Sequence, residues 1–237
     1  FMSAESSDNW GPNGLGYYLA ARMLWDVDEA GRLDALIDDF LTRSFGPAKE
    51  PMAEFYRQLD ASKPHLVFSD QLGRMFRALD EARRLAGDAD VRARIDDLVL
   101  YARYVDLYQR YAKSEGPARQ AALEQLIRHA YRMRTTMLVH TKALYRDLAS
   151  RDKSVSIPPG AEFNVPEGKN PWKSSEPFSA DELAALLREG IERYPLAKLD
   201  FHPIEFSSDL VPAEPLGLAA VEPGQPGPGR QEQTFFT

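Results

Sequence analysis

Apolar residues recur every three or four positions between about 29 and 148, and Gly-Pro pairs cut the run in two places. That is the period of an α-helix, so most of the chain must fold as helices that each bury one stripe. Leu33, Leu36, Ile37, Phe40, Leu41 and Phe45 form the first stripe, stopped by Gly46-Pro47. Met52, Phe55, Tyr56 and Leu59 form the next, with Pro47 and Pro51 tolerable only near its first turn. Leu72, Met75, Phe76 and Leu79 mark a third helix, capped by Ser69 or Asp70 and closed near Gly87. Asp88 or Asp90 starts a long helix through Val91, Ile95, Leu98, Ala102, Val105 and Ala112, which Gly116-Pro117 breaks. Another long helix is expected to run to about Leu148. Leu123, Leu126, Ala130, Met133, Met137, His140 and Leu144 would be its coiled-coil-like seam. The short connections predict a multi-helix bundle with consecutive helices as antiparallel neighbours.

The flanks read differently. Residues 13–25 lack a polar face, with Leu15, Tyr17, Tyr18, Leu19, Met23, Leu24 and Trp25 around the axis and Arg22 the only charge before Asp26. A helix apolar on all sides expects burial on all sides, inside something larger. The stretch 149–178 carries five prolines and little periodicity, and Phe163, Val165, Trp172 and Phe178 would anchor it as an ordered wrap. Ser179-Ala180-Asp181-Glu182 is a capping box, so Leu183, Leu186, Leu187 and Ile191 belong to a final helix ending at Tyr194-Pro195. Beyond it, Leu199 with Phe201 and Ile204 with Phe206 sit at strand spacing around Pro203, the expected start of a truncated β domain over 196–237.

Several classes of function are disfavoured. A formal net charge of −7 is a poor basis for counterion-release binding to nucleic acid. No apolar run approaches the roughly 20 residues that span a bilayer. The chain has no cysteine, hence no disulfide or thiolate chemistry, and no cofactor signature is visible. The four histidines do not share metal-ligand spacing: on one continuous helix, His129 and His140 would stand about 16 Å apart, too far for one ion.

Four features could carry function. Tyr101, Tyr104, Tyr108 and Tyr111 fall at spacings of three, four and three, an aromatic stripe that can stack on sugar rings or pack as core and rim. His140 occupies an apolar seam position, either buried and hydrogen-bonded or reaching a pocket with Arg134 or Tyr131 nearby. Trp172 is either a core plug or a sugar platform. At the start, "FMSAE" reads as a strand ending on Glu5, followed by Asp8, Asn9, Trp10 and Gly11. A carboxylate, an amide and an indole at a strand end suit a sugar site at the C-terminal face of a (β/α)₈ barrel. Glycoside hydrolysis usually needs two carboxyl groups, and Asp8 on the same loop has no defined geometry to serve as the second. Glu5 could equally be a turn or helix-capping carboxylate near the helix beginning at Asn13.

"NWGPNGLGYYLAARMLWD" followed by "LIDDFLTRSFGPAKEPMAEFYRQLD" resembles a bacterial family of unknown function, the helical region C-terminal to a glycoside-hydrolase-type barrel in polysaccharide-degrading proteins. The resemblance covers roughly residues 1–195, is strongest over 3–60, and draws support from "MLVHTKALYRDL" and "PFSADELAALLREGIERY". It implies a mainly α chain with three parts. Residues 1–12 would be the last strand and active-face loop of a barrel resembling those of α-glucuronidases and hexosaminidases. Residues 13–195 would be the helical domain, and 196–237 the start of a β-sandwich. Glu5 would then be the candidate catalytic residue, and Asn9, Trp10 and Asn13, with His140 and Trp172, candidates for binding sugar. Any second catalytic carboxylate would belong to the missing barrel, so this chain by itself is expected to turn over nothing. The implied partners are the rest of the barrel, the sandwich and carbohydrate, and the implied location is secreted or periplasmic. The alternatives are a non-catalytic carbohydrate-binding module and a helical interaction scaffold.

Overall fold

A computed structural model of the chain describes residues 11–60 and 67–196. Glu5, Asn9 and Trp10, the strand-like run before them and the segment 197–237 lie outside the described residues, and with them the barrel-strand and β-sandwich expectations. The chain divides into two compact units, Phe1–Leu196 and Ala197–Thr237, of which the second falls wholly outside that description.

Every regular element among the described residues is helical. In chain order they are α1 (Gly14–Trp25), α2 (Leu33–Phe45), α3 (Lys49–Asp60), α4 (Ser69–Leu85), α5 (Ala89–Lys113), α6 (Gly116–Arg132), α7 (Thr141–Arg151) and α8 (Ala180–Arg193). The punctuation is chemical. Gly46 ends α2 at φ 50°, a conformation that costs a glycine little. The Asp88 carboxylate caps α5 by accepting from the Val91 N–H at 2.8 Å. Ser179 and Glu182 exchange side-chain and backbone hydrogen bonds at 3.2 and 2.8 Å, so the capping box of α8 forms as the sequence predicts. α4 begins with Ser69 already inside the helix, and the Gln71 side chain takes the Phe68 N–H instead of a serine or aspartate cap.

Helices α2 to α6 pack in succession, each on the next, and α8 returns to lie across α4 and α5. Met52, Phe55, Leu72, Met75, Phe76, Leu79, Ile95, Leu123, Leu126 and Ile127 are fully buried between them. Each such large side chain contributes roughly 1.5–3 kcal/mol on burial. Two glycines let α8 approach. A methyl group on Gly190 would sit 2.5 Å from three atoms of the Phe76 ring, and one on Gly73 would sit 2.6 Å from the Tyr194 carbonyl oxygen.

The end of α8 is fastened by charge. Asp106 on α5 has no exposed surface. It accepts from the Tyr194 hydroxyl at 2.7 Å, from Arg103 at 2.8 Å and from Arg110 Nε at 3.0 Å. Burial alone would raise this carboxyl, but the bonds from Arg110 and Tyr194 and the charges of Arg110 and Arg103 hold it below the usual carboxylate range. Arg77 on α4 donates to the Tyr194 and Ile191 carbonyls at 2.9 and 3.3 Å, satisfying acceptors that the helix end leaves open. At the α5–α6 interface the His129 ring donates Nε2–H to the Leu100 carbonyl at 2.8 Å. Burial drives its pKa down to about 4, so the imidazole is neutral at ordinary pH.

One expectation is corrected. The helix predicted to run to Leu148 ends at Arg132, and α7 starts afresh at Thr141. Thr135 and Thr136 are β-branched, and the Thr136 hydroxyl donates to the Met133 carbonyl at 2.8 Å, giving the backbone a partner outside the helix. Met137 then turns at φ 60°, a left-handed conformation costing a non-glycine residue roughly 1–2 kcal/mol. Helix α1 contains no buried residue. Leu24 is 56% exposed, Trp25 93% and Val27 beyond it 78%, so its apolar surface is not enclosed by the described chain.

Replacing Gly190 by Ala forces Phe76 and α8 apart and should destabilise the bundle by about 1–3 kcal/mol, read as a lower urea midpoint at unchanged slope. His129 gives the fold a pH dependence of definite sign. The unfolded chain takes a proton on this ring below about pH 6.5, and the folded one refuses it until about pH 4. Stability present above pH 6.5 should therefore fall by up to about 3 kcal/mol as the pH drops to 4, and His129→Gln should flatten that part of the urea-midpoint profile.

Candidate functional site

Helix α7 is pinned at both ends. At its start the Thr141 hydroxyl donates to the Ala130 carbonyl on α6 at 2.8 Å, and His140 Nδ1 accepts from the Ala143 N–H at 3.1 Å. At its end the Asp152 N–H closes on the Leu148 carbonyl at 2.9 Å. The Asp152 carboxylate accepts from Ser154 at 2.6 Å, from the Tyr111 hydroxyl on α5 at 2.5 Å and from Arg119 on α6 at 2.6 Å. Those bonds hold it far below the ordinary carboxylate range. Burial and donation to that carboxylate push the Tyr111 phenol up to about 12. The last tyrosine of the stripe thus serves as a fastener.

Between its two fastenings α7 leaves a groove of about 260 Å³ against α5. Tyr104 and Tyr108 form one wall, with ring centroids 6.2 Å apart and planes inclined by 51°. Leu144, Leu148 and Val139 give an apolar floor, and His140, Asp147 and Arg151 a polar side. His140 and Arg151 stand at the two ends of α7, about 16 Å apart by helical rise. Asp147 is taken by Arg146 through two contacts, at 2.6 and 3.3 Å, and lies 3.7 Å from Arg151. The Arg146 bond holds its carboxyl below the usual range. Burial pushes the Tyr104 phenol well above its ordinary value, so it remains a donor.

Such a lining offers stacking faces and mixed hydrogen-bonding groups. It does not offer hydrolytic machinery: Asp147 is the one carboxylate among the described lining residues, and it is salt-bridged. No three His, Asp or Glu side chains among the described residues converge as a metal site would require. None of the described helices is long and apolar enough to cross a membrane.

The candidates from the sequence are distributed unevenly. His140 is not in a buried seam. It is the exposed cap of α7, because the helix that would have buried it ends eight residues earlier. The same break carries it to the groove, beside the two central tyrosines of the stripe. Asn13 is exposed just before α1, where its carbonyl accepts the Tyr17 N–H at 3.0 Å. Gly11 rests so closely on Leu138 that a methyl group there would fall 1.8 Å from its Cδ2. The chain following Trp10 therefore passes directly beside the residues that lead into the groove.

Trp172 is only 4% exposed and plugs the core. It borders a second hollow of about 200 Å³, where Arg128 pairs with Glu124 on α6 and two further cations hold the wrap. Arg132 binds Glu182 and the carbonyls of Glu176 and Pro177, and Lys173 binds those of Phe163 and Val165. Asp147 and Arg151 went unread in the sequence. Their signal is the seven- and eleven-residue spacing from His140, which places all three on one face once α7 starts at Thr141.

No family model, curated protein or solved structure matches the chain. Replacing His140 by Ala should remove the cap of α7 and cost about 1 kcal/mol, whereas His140→Asn should retain most of that stability; thermal melts of the two variants measure the difference.

Proposed function

We propose that this chain is a helical module of a polysaccharide-processing protein, holding a sugar chain in the groove between α5 and α7 and leaning on a companion body through α1. The observation that carries the reading is the meeting of Tyr104 and Tyr108 with His140, Asp147 and Arg151 along one groove. Aromatic faces receive the C–H face of a pyranose, while imidazole, carboxylate and guanidinium groups exchange hydrogen bonds with hydroxyls. The resemblance of residues 1–195 to helical regions beside glycoside-hydrolase-type barrels supports the same reading. On it, catalysis belongs to the companion barrel, Glu5 remains the candidate contributed by this chain, and Asn9, Trp10 and Asn13 extend the sugar contacts.

The exposed apolar surface of Leu24, Trp25, Val27 and Leu33 favours a second reading, a helical scaffold that only docks against another domain. One titration separates the two. Calorimetry of the protein with neutral and acidic oligosaccharides should detect binding, and Tyr108→Ala should weaken it by about tenfold through lost stacking. Binding that is absent, or unchanged in Tyr108→Ala, removes the sugar groove and leaves the scaffold.

A further inference from the structure

Resting on the sugar-groove reading, we infer that the ligand is an acidic glycan whose successive rings lie over Tyr104 and Tyr108 and whose carboxylate meets Arg151. Length comes first. The two rings stand one helical turn apart on α5, and the polar side extends along α7 from His140 to Arg151, which is more than a single sugar occupies. The groove suits an internal stretch of chain rather than a monosaccharide.

Charge selects the kind of chain. The protein as a whole carries −7, but α7 with its cap, "HTKALYRDLASR", holds Lys142, Arg146 and Arg151 against Asp147 alone. Asp147 is neutralised chiefly by Arg146, which grips both of its oxygens at 2.6 and 3.3 Å. Arg151 touches that carboxylate only at 3.7 Å, and its side chain is 82% exposed. A guanidinium so placed adds a positive charge at one end of the groove and a planar pair of donors that matches a carboxylate. A neutral chain would leave that charge unused. An acidic chain would pair with it while its rings stack on the tyrosines.

The test titrates the protein with an oligogalacturonate and with a neutral xylo-oligosaccharide of equal length. The acidic oligomer should bind about fivefold more tightly at low salt. Arg151→Gln, which keeps hydrogen-bonding groups but not the charge, should erase that preference by lowering the affinity for the acidic oligomer to that for the neutral one, and added salt should erase it in the parent sequence. Equal binding of the two oligomers, tighter binding of the neutral one, or a preference that survives in Arg151→Gln overturns the inference and leaves the sugar groove standing. Binding of neither overturns both. A melting temperature of Arg151→Gln equal to that of the parent shows that the change acts on the ligand.

Discussion

The carboxylate of Asp106 is shut away from water, and the return of the chain onto its own bundle depends on how that charge is satisfied. A lone buried carboxylate would be costly enough to unfold its surroundings or to take up a proton. Here Arg103 and Arg110 come from its own helix, and Tyr194 is delivered from the far end of α8. Such a network adds less net stability than its bond count suggests, because desolvation offsets much of the attraction. Removing one partner is nevertheless expensive, about 3–5 kcal/mol for a buried pair. The arrangement thus specifies where α8 must stop. Only one register of that helix puts a tyrosine hydroxyl on Asp106, a glycine on Phe76 and the last carbonyls on Arg77.

A second carboxylate plays the matching part where the return begins. Asp152 ties the end of α7 to Tyr111 and Arg119, so the wrap from 152 to 178 starts from a fixed point and finishes on α8, itself fixed by Asp106. Between these points Gln120 exchanges two bonds with the Ser156 backbone, Asn170 takes the Glu162 carbonyl, and Trp172 fills the core. An irregular segment of this length is ordered because its polar backbone finds partners, and its proline content lowers the entropy lost on fixing it. The groove is a by-product of the same fastening. α7 is held at both ends against α6 and α5, and between them Tyr104 and Tyr108 keep it from closing on α5.

The fold was largely legible because its signals are local. Stripes at three-four spacing, the Asp88 cap, the Ser179 box and the Gly46 and Gly116 breaks each act through residues a few positions apart. The break at Met133 was not legible for the complementary reason. No glycine or proline marks it, and the apolar spacing continues in phase across it, so periodicity alone reads one helix where there are two. That single error hid the site, since it sent His140 into a seam and left Asp147 and Arg151 unconnected to it. The aromatic stripe, by contrast, was visible at once, and only its use was open.

The sequence by itself determined the class of the structure, the faces the helices bury and the identity of the aromatic and charged groups available for binding. Period, propensity and capping are properties of neighbours along the chain, and they need no knowledge of what lies across the bundle. Tertiary structure alone decided which of those groups meet. Tyr111 became a fastener while Tyr104 and Tyr108 became a wall, and Trp172 became core while His140 became surface. The physical reason is that long-range packing fixes α7 against α5, and an eight-residue interruption between two helices moves a side chain from the inside of a bundle to the edge of a groove.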